Sequence, residues 1–76
     1  MNKLRDKDLL IQFGEHLRML RISKDLSIEE LANEADMEIS QIYRIEKGKI
    51  NTTLSTLNSI SKALEIELSK LLEFKG

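Results

Sequence analysis

Between Ser27 and Gly48 the chain writes out two short helices and the turn that joins them. Ser27 and Glu30 form a Ser-x-x-Glu capping box, in which each side chain bonds the other residue's backbone amide, so a helix starts there. Leu31, Ala32 and Ala35 form its inner face, and two alanines at this spacing let another helix come close. Asp36-Met37 makes the turn, with Met37 pointing inward. A second helix then runs from about Ile39 to Lys47 and stops at Gly48, a residue suited to the left-handed backbone that closes helices. No proline occurs, so every helix end must be set by a cap or by glycine.

The rest of the chain supplies scaffolding of the same kind. Before this unit, Asp6 or Asp8 caps a helix reaching about Ser23, whose apolar face is Leu9, Leu10, Phe13, Leu17 and Leu20, with Arg21 among them. Lys24 and Asp25 end it. After the unit, Thr52 or Thr53 caps a helix with the stripe Leu54, Leu57, Ile60, Ala63 and Leu64. Glu67 or Ser69 opens a short last helix holding Leu68, Leu71 and Leu72. These patterns predict an all-α, compact bundle of five helices forming one domain over residues 1–76.

Composition removes most other functions. The chain has 76 residues, no cysteine and one histidine. A disulfide framework and a Cys-based zinc site are therefore excluded. His16, beside Glu15, assembles neither a metal site nor a triad, and reads as a structural histidine. No nucleophile, base or metal constellation is present, so we expect no enzyme, no cofactor and no small-molecule ligand. Leu9-Leu10-Ile11 is far too short to cross a bilayer and no signal-cleavage pattern follows, which predicts no membrane partner and a cytoplasmic location.

Charge is polarised along the chain. Twelve basic and thirteen acidic residues give a net charge of −1. Asp25, Glu29, Glu30, Glu34, Asp36 and Glu38 fall in a stretch with no base, whereas Arg44, Lys47 and Lys49 follow with only Glu46 opposing them. A molecule charged this way has weak, steeply salt-dependent affinity for nucleic acid in general. On the second helix of the unit, Ile42 and Ile45 face the core. Ile39, Ser40, Tyr43, Arg44 and Lys47 share the opposite, exposed face.

Residues 21–57 resemble the helix-turn-helix of the phage repressor and Cro family, the XRE-like regulators, and the resemblance extends over about residues 10–72 without gaps. It implies a five-helix lambda-repressor-like DNA-binding domain with its helix-turn-helix at about 27–48. The implied function is sequence-specific transcriptional regulation, by a homodimer bound to a two-fold operator in double-stranded DNA. Ile39, Ser40, Tyr43 and Arg44 then become the base-reading candidates, since arginine bonds guanine bidentately, serine pairs with several bases and an aliphatic meets a thymine methyl. Arg18, Ser27, Ile28, Lys47, Lys49 and Asn51 are the phosphate candidates, with backbone amides of the Gly48–Asn51 loop beside them. Lys3, Arg5 and Lys7 are a weaker candidate for a basic arm.

The family also pairs an arginine late in the first helix with a glutamate at the end of the recognition helix, which identifies Arg21 and Glu46 as a structural ion pair. Its two-fold contact lies at the end of the domain, which points to Leu68, Leu71, Leu72 and Phe74. Three positions depart from the common pattern: Asp36 stands where glycine is frequent, Ile28 where glutamine is, and Glu38 where serine or threonine caps the recognition helix. The alternative reading is a protein-interaction or antitoxin-like module, in which Ile28, Ile39 and Tyr43 meet a protein partner.

Overall fold

In a computed structural model describing residues 6–74, five helices follow one another: α1 (Lys7–Ser23), α2 (Ile28–Ala35), α3 (Ile39–Glu46), α4 (Leu54–Ala63) and α5 (Leu68–Leu71). No strand occurs among the described residues. Three starts are set by side chains. The Asp6 carboxylate accepts from the Leu9 amide at 3.1 Å, and Thr53 Oγ1 accepts from the Thr56 amide at 3.1 Å. The capping box of α2 is complete: Ser27 Oγ accepts from the Glu30 amide at 3.0 Å, and Glu30 Oε1 accepts from the Ser27 amide at 2.8 Å.

The ends of α1 to α4 are one device used four times. A residue in the left-handed region follows each helix: Asp25 (φ 59°), Asp36 (φ 58°), Gly48 (φ 70°) and Glu65 (φ 60°). In every case the next amide reaches back five residues to a helix carbonyl. The bonds are Leu26 N–H to Arg21 O, Met37 N–H to Ala32 O, Lys49 N–H to Arg44 O and Ile66 N–H to Ser61 O, all between 2.8 and 3.1 Å. This is the Schellman closure, which satisfies carbonyls a helix end leaves open. At three of the four ends the residue donating that amide is apolar (Leu26, Met37, Ile66), and it packs back on the core. These closures let the chain turn sharply without proline.

Phe13 and Leu17 from α1, Leu31 and Ala32 from α2, Ile42 and Ile45 from α3, Ile60 from α4, Leu64 just after it, and Leu71 from α5 make one buried cluster. Truncating Leu17, Leu31 or Ile42, all fully buried, to alanine costs about 2–5 kcal/mol. Two expected core positions are corrected. Leu9 is 44% exposed, on the lining of an apolar depression rather than in the core, and Leu54, the first residue of α4, is 66% exposed. Ser61 takes the inward place in α4 instead. Its hydroxyl donates to the Asn58 carbonyl at 2.8 Å, which makes a serine acceptable in the core.

At two glycines, α1 and the end of α3 with its following turn bring their backbones together. A Cβ at Gly14 would lie 2.5 Å from the Ile45 carbonyl oxygen and overlap that of Glu46. One at Gly48 would lie 2.7 Å from the Ile11 Cα. Only glycine permits this approach at both positions.

Candidate nucleic-acid interface

Helix α3 buries Ile42, Ile45 and Glu46 and turns its other side outward. Ile39 is 49% exposed and Tyr43 46%; Ser40, Arg44 and Lys47 are exposed beside them. The five expected residues therefore lie on one open face. The Lys47 ammonium sits 5.6 Å above the Tyr43 ring, a cation–π contact worth about 0.5–1 kcal/mol at an exposed site, which holds the ring beside positive charge. Among the described residues neither Arg44 nor Arg18 is engaged in an ion pair, so both guanidinium groups keep their charge for a partner.

What holds that face is the Arg21–Glu46 pair. Arg21 Nε donates to Glu46 Oε2 at 2.6 Å and Nη2 to Oε1 at 3.1 Å, a bidentate bond buried between α1 and α3. The third donor, Nη1, reaches the Leu26 carbonyl at 2.8 Å, a partner that sequence reasoning did not find. The hydrogen bond to Glu46 raises the Arg21 pKa above its ordinary value; burial opposes this, and attraction to the carboxylate adds to it. The pair ties the C-terminal end of α3 to α1, while the αL residue Asp36 and the Met37 amide tie its N-terminal end to α2.

The phosphate candidates need revision. Ser27 spends its amide on Glu30, so its hydroxyl proton is what it has left to donate. Ile28 packs its side chain against the core, so any phosphate contact there belongs to its backbone amide. Partly buried in this way, Ile28 offers less surface to a protein partner than the exposed Ile39 and Tyr43. In the loop after α3, the Gly48 and Lys49 amides are consumed by the carbonyls of Ile45 and Arg44. Lys49 and Asn51 of this loop are exposed, and each already holds an interaction within the chain. Glu38, at the start of α3, makes no side-chain cap bond. Lys7 is an exposed first residue of α1, and Lys3 and Arg5 lie outside the described residues.

The expected two-fold surface is also revised. Leu71 is fully buried in the chain's own core and leaves no area for a partner. Phe74 spends much of its surface inside, with ring centroids 5.6 Å from Phe13 and 5.5 Å from His16, on which it stacks. Leu72 remains 43% exposed. It borders an apolar depression lined also by Leu9, Phe13, Ile50, Leu57 and Phe74. His16 is the structural histidine the sequence suggested. No helix among the described residues is long and apolar enough to cross a membrane.

An exposed, rigidly mounted helix with arginine, serine and tyrosine on its open face, following a capped helix and a tight turn, defines a helix-turn-helix reader. The Helix-turn-helix family (HTH_3) matches residues 17–71, and the chain belongs to this family of DNA-binding transcriptional regulators. It is 38% identical over 68 residues to the control protein C.BamHI of Bacillus amyloliquefaciens, covering 88% of this chain and 84% of that protein. Identity to the control protein C.MunI of a Mycoplasma species is 43% over 65 residues, covering 84% of this chain and 88% of that one. Among crystal structures, the restriction-modification controller protein C.AhdI of Aeromonas hydrophila superposes with a TM-score of 0.83 at 36% identity, covering 84% of this chain and 97% of that chain.

Proposed function

We propose that this protein controls transcription of restriction–modification genes by binding a two-fold operator as a homodimer in the cytoplasm. The observation that carries the reading is the open face of α3, clamped to α1 by the buried Arg21–Glu46 pair. Its likeness to three restriction–modification or control proteins supplies the genes. Arg44 bonds a guanine edge in the major groove, Ser40 and Tyr43 read beside it, and Ile39 meets a thymine methyl. Lys47, Lys49, Asn51, Arg18, the Ser27 hydroxyl and the Ile28 amide contact phosphate and set the register without reading sequence.

Two copies joined through Leu72, Leu68 and the apolar depression beside them place their α3 helices in successive major grooves, about 34 Å apart. No cofactor or small molecule enters this scheme, and the 76 residues act as one domain. The test is precipitation of protein-bound chromatin from the source cells, followed by sequencing. Enrichment of promoter DNA of restriction and modification genes supports the proposal. Enrichment at unrelated promoters alone refutes the assignment of genes while leaving DNA binding intact.

A further inference from the structure

Where Gly14 of α1 meets the end of α3, backbone faces backbone, and we infer that Gly14 is a positioning residue for sequence readout, setting the depth and tilt at which α3 offers its base-reading face. The inference rests on the DNA reading above and adds the residue that holds the reader in place. The hydrogen that replaces a side chain at Gly14 points at the carbonyl oxygens of Ile45 and Glu46. Gly14 and Arg21 are seven residues apart, on one face of α1. The last turn of α3 is thus pinned at two places, by direct contact at Gly14 and by the ion pair at Arg21. Ile11 adds a third, beneath Gly48.

A methyl group at position 14 cannot be absorbed by rotating a side chain, because the obstructing atoms are helix carbonyls. Restoring an ordinary carbon–oxygen contact of about 3.3 Å moves the end of α3 outward by about 1 Å. The other end stays anchored, with the Met37 amide on the Ala32 carbonyl at 2.8 Å and Ile42 fully buried. The displacement therefore becomes a tilt that carries Tyr43 and Arg44 with it. A binding constellation tolerates misplacement of about 0.5 Å. Lysines on flexible stems, which act as point charges on phosphate, tolerate more. Gly14→Ala thus separates specific from non-specific binding, whereas a residue that only stabilises the fold lowers both together.

Gly14→Ala and Ile11→Ala are titrated against the duplex the wild-type protein selects from a random pool and against a scrambled duplex of equal length. Circular dichroism on the same samples reports folding. Ile11 is 42% exposed, so its truncation loosens the seat at little cost to folding. The expected ratio of specific to non-specific affinity falls at least about tenfold for Gly14→Ala and about threefold for Ile11→Ala, with non-specific affinity unchanged. A folded Gly14→Ala variant that keeps the wild-type ratio overturns the inference. Should that variant not fold, the Ile11→Ala ratio decides by the same rule. A wild-type protein that selects no sequence overturns both this inference and the reading beneath it. Selection by the wild type with unchanged ratios in the variants overturns this one alone.

Discussion

Removing either half of the Arg21–Glu46 pair has unequal consequences that the geometry sets. The Glu46 side chain is 3% exposed and the Arg21 side chain 10%. Arg21→Ala strands a nearly buried carboxylate without its partner, and also takes away the donor to the Leu26 carbonyl. Loss of one partner of a buried pair costs about 3–5 kcal/mol, and leaving the part-buried Leu26 carbonyl without its donor costs about 1 kcal/mol. The total is about 4–6 kcal/mol. Glu46→Ala is milder. Arg21 retains the Leu26 carbonyl, and its long stem can carry the guanidinium toward solvent, so about 2–3 kcal/mol is expected.

The double variant buries no charge at all. Its loss should be about 4 kcal/mol, leaving a coupling of about 3 kcal/mol against simple addition. A domain of this size holds roughly 4–11 kcal/mol in all, so Arg21→Ala is barely folded. Urea unfolding in the cold, followed by circular dichroism, measures all four proteins. A double-variant loss equal to the sum of the single losses would refute the reasoning, as would a Glu46→Ala loss larger than that of Arg21→Ala.

Three further outcomes follow from the interface. Arg44→Ala should lower affinity for the selected site by about 1–3 kcal/mol and relax preference at one base pair per half-site, read by repeating the selection with the variant. Lys49→Ala should weaken binding to every sequence alike and lower the slope of log affinity against log salt by about one per bound protomer. If the chain dimerises as proposed, Leu72→Asp, on the exposed part of the last turn, should leave a folded monomer in sedimentation equilibrium. A dimer that survives this change places the two-fold contact elsewhere.

The fold was legible where side-chain chemistry announces structure. The Ser27–Glu30 box and the apolar spacing of α1 to α3 are written in residue types, the pairing of Arg21 with Glu46 was implied by the family resemblance, and all are present. The helix ends were less legible. Four closures share one geometry, yet only Gly48 carries the residue that advertises it; the others use Asp25, Asp36 and Glu65. The signal at three of them was instead the apolar residue just after, at Leu26, Met37 and Ile66. Periodicity also misplaced Leu9 and Leu54, because a helical stripe says which residues share a face and not how far the bundle extends along it. At the interface, α3's open face was readable from its burial pattern. Backbone use was not: the amides of Ser27, Gly48 and Lys49 look available in the sequence and are already bonded. Gly14 escaped notice because a glycine inside a helix gives no sign of what lies against it.

The most direct test of the central claim, that α3 reads DNA sequence, is selection of bound duplexes from a random pool at physiological salt. The account predicts enrichment of two related half-sites in inverted orientation, with centres about one helical turn, roughly 10 base pairs, apart. A guanine should stand at the position that Arg44→Ala relaxes. Binding that enriches no sequence and vanishes as salt rises would contradict the claim, leaving only the general attraction of Arg44, Lys47 and Lys49 for phosphate.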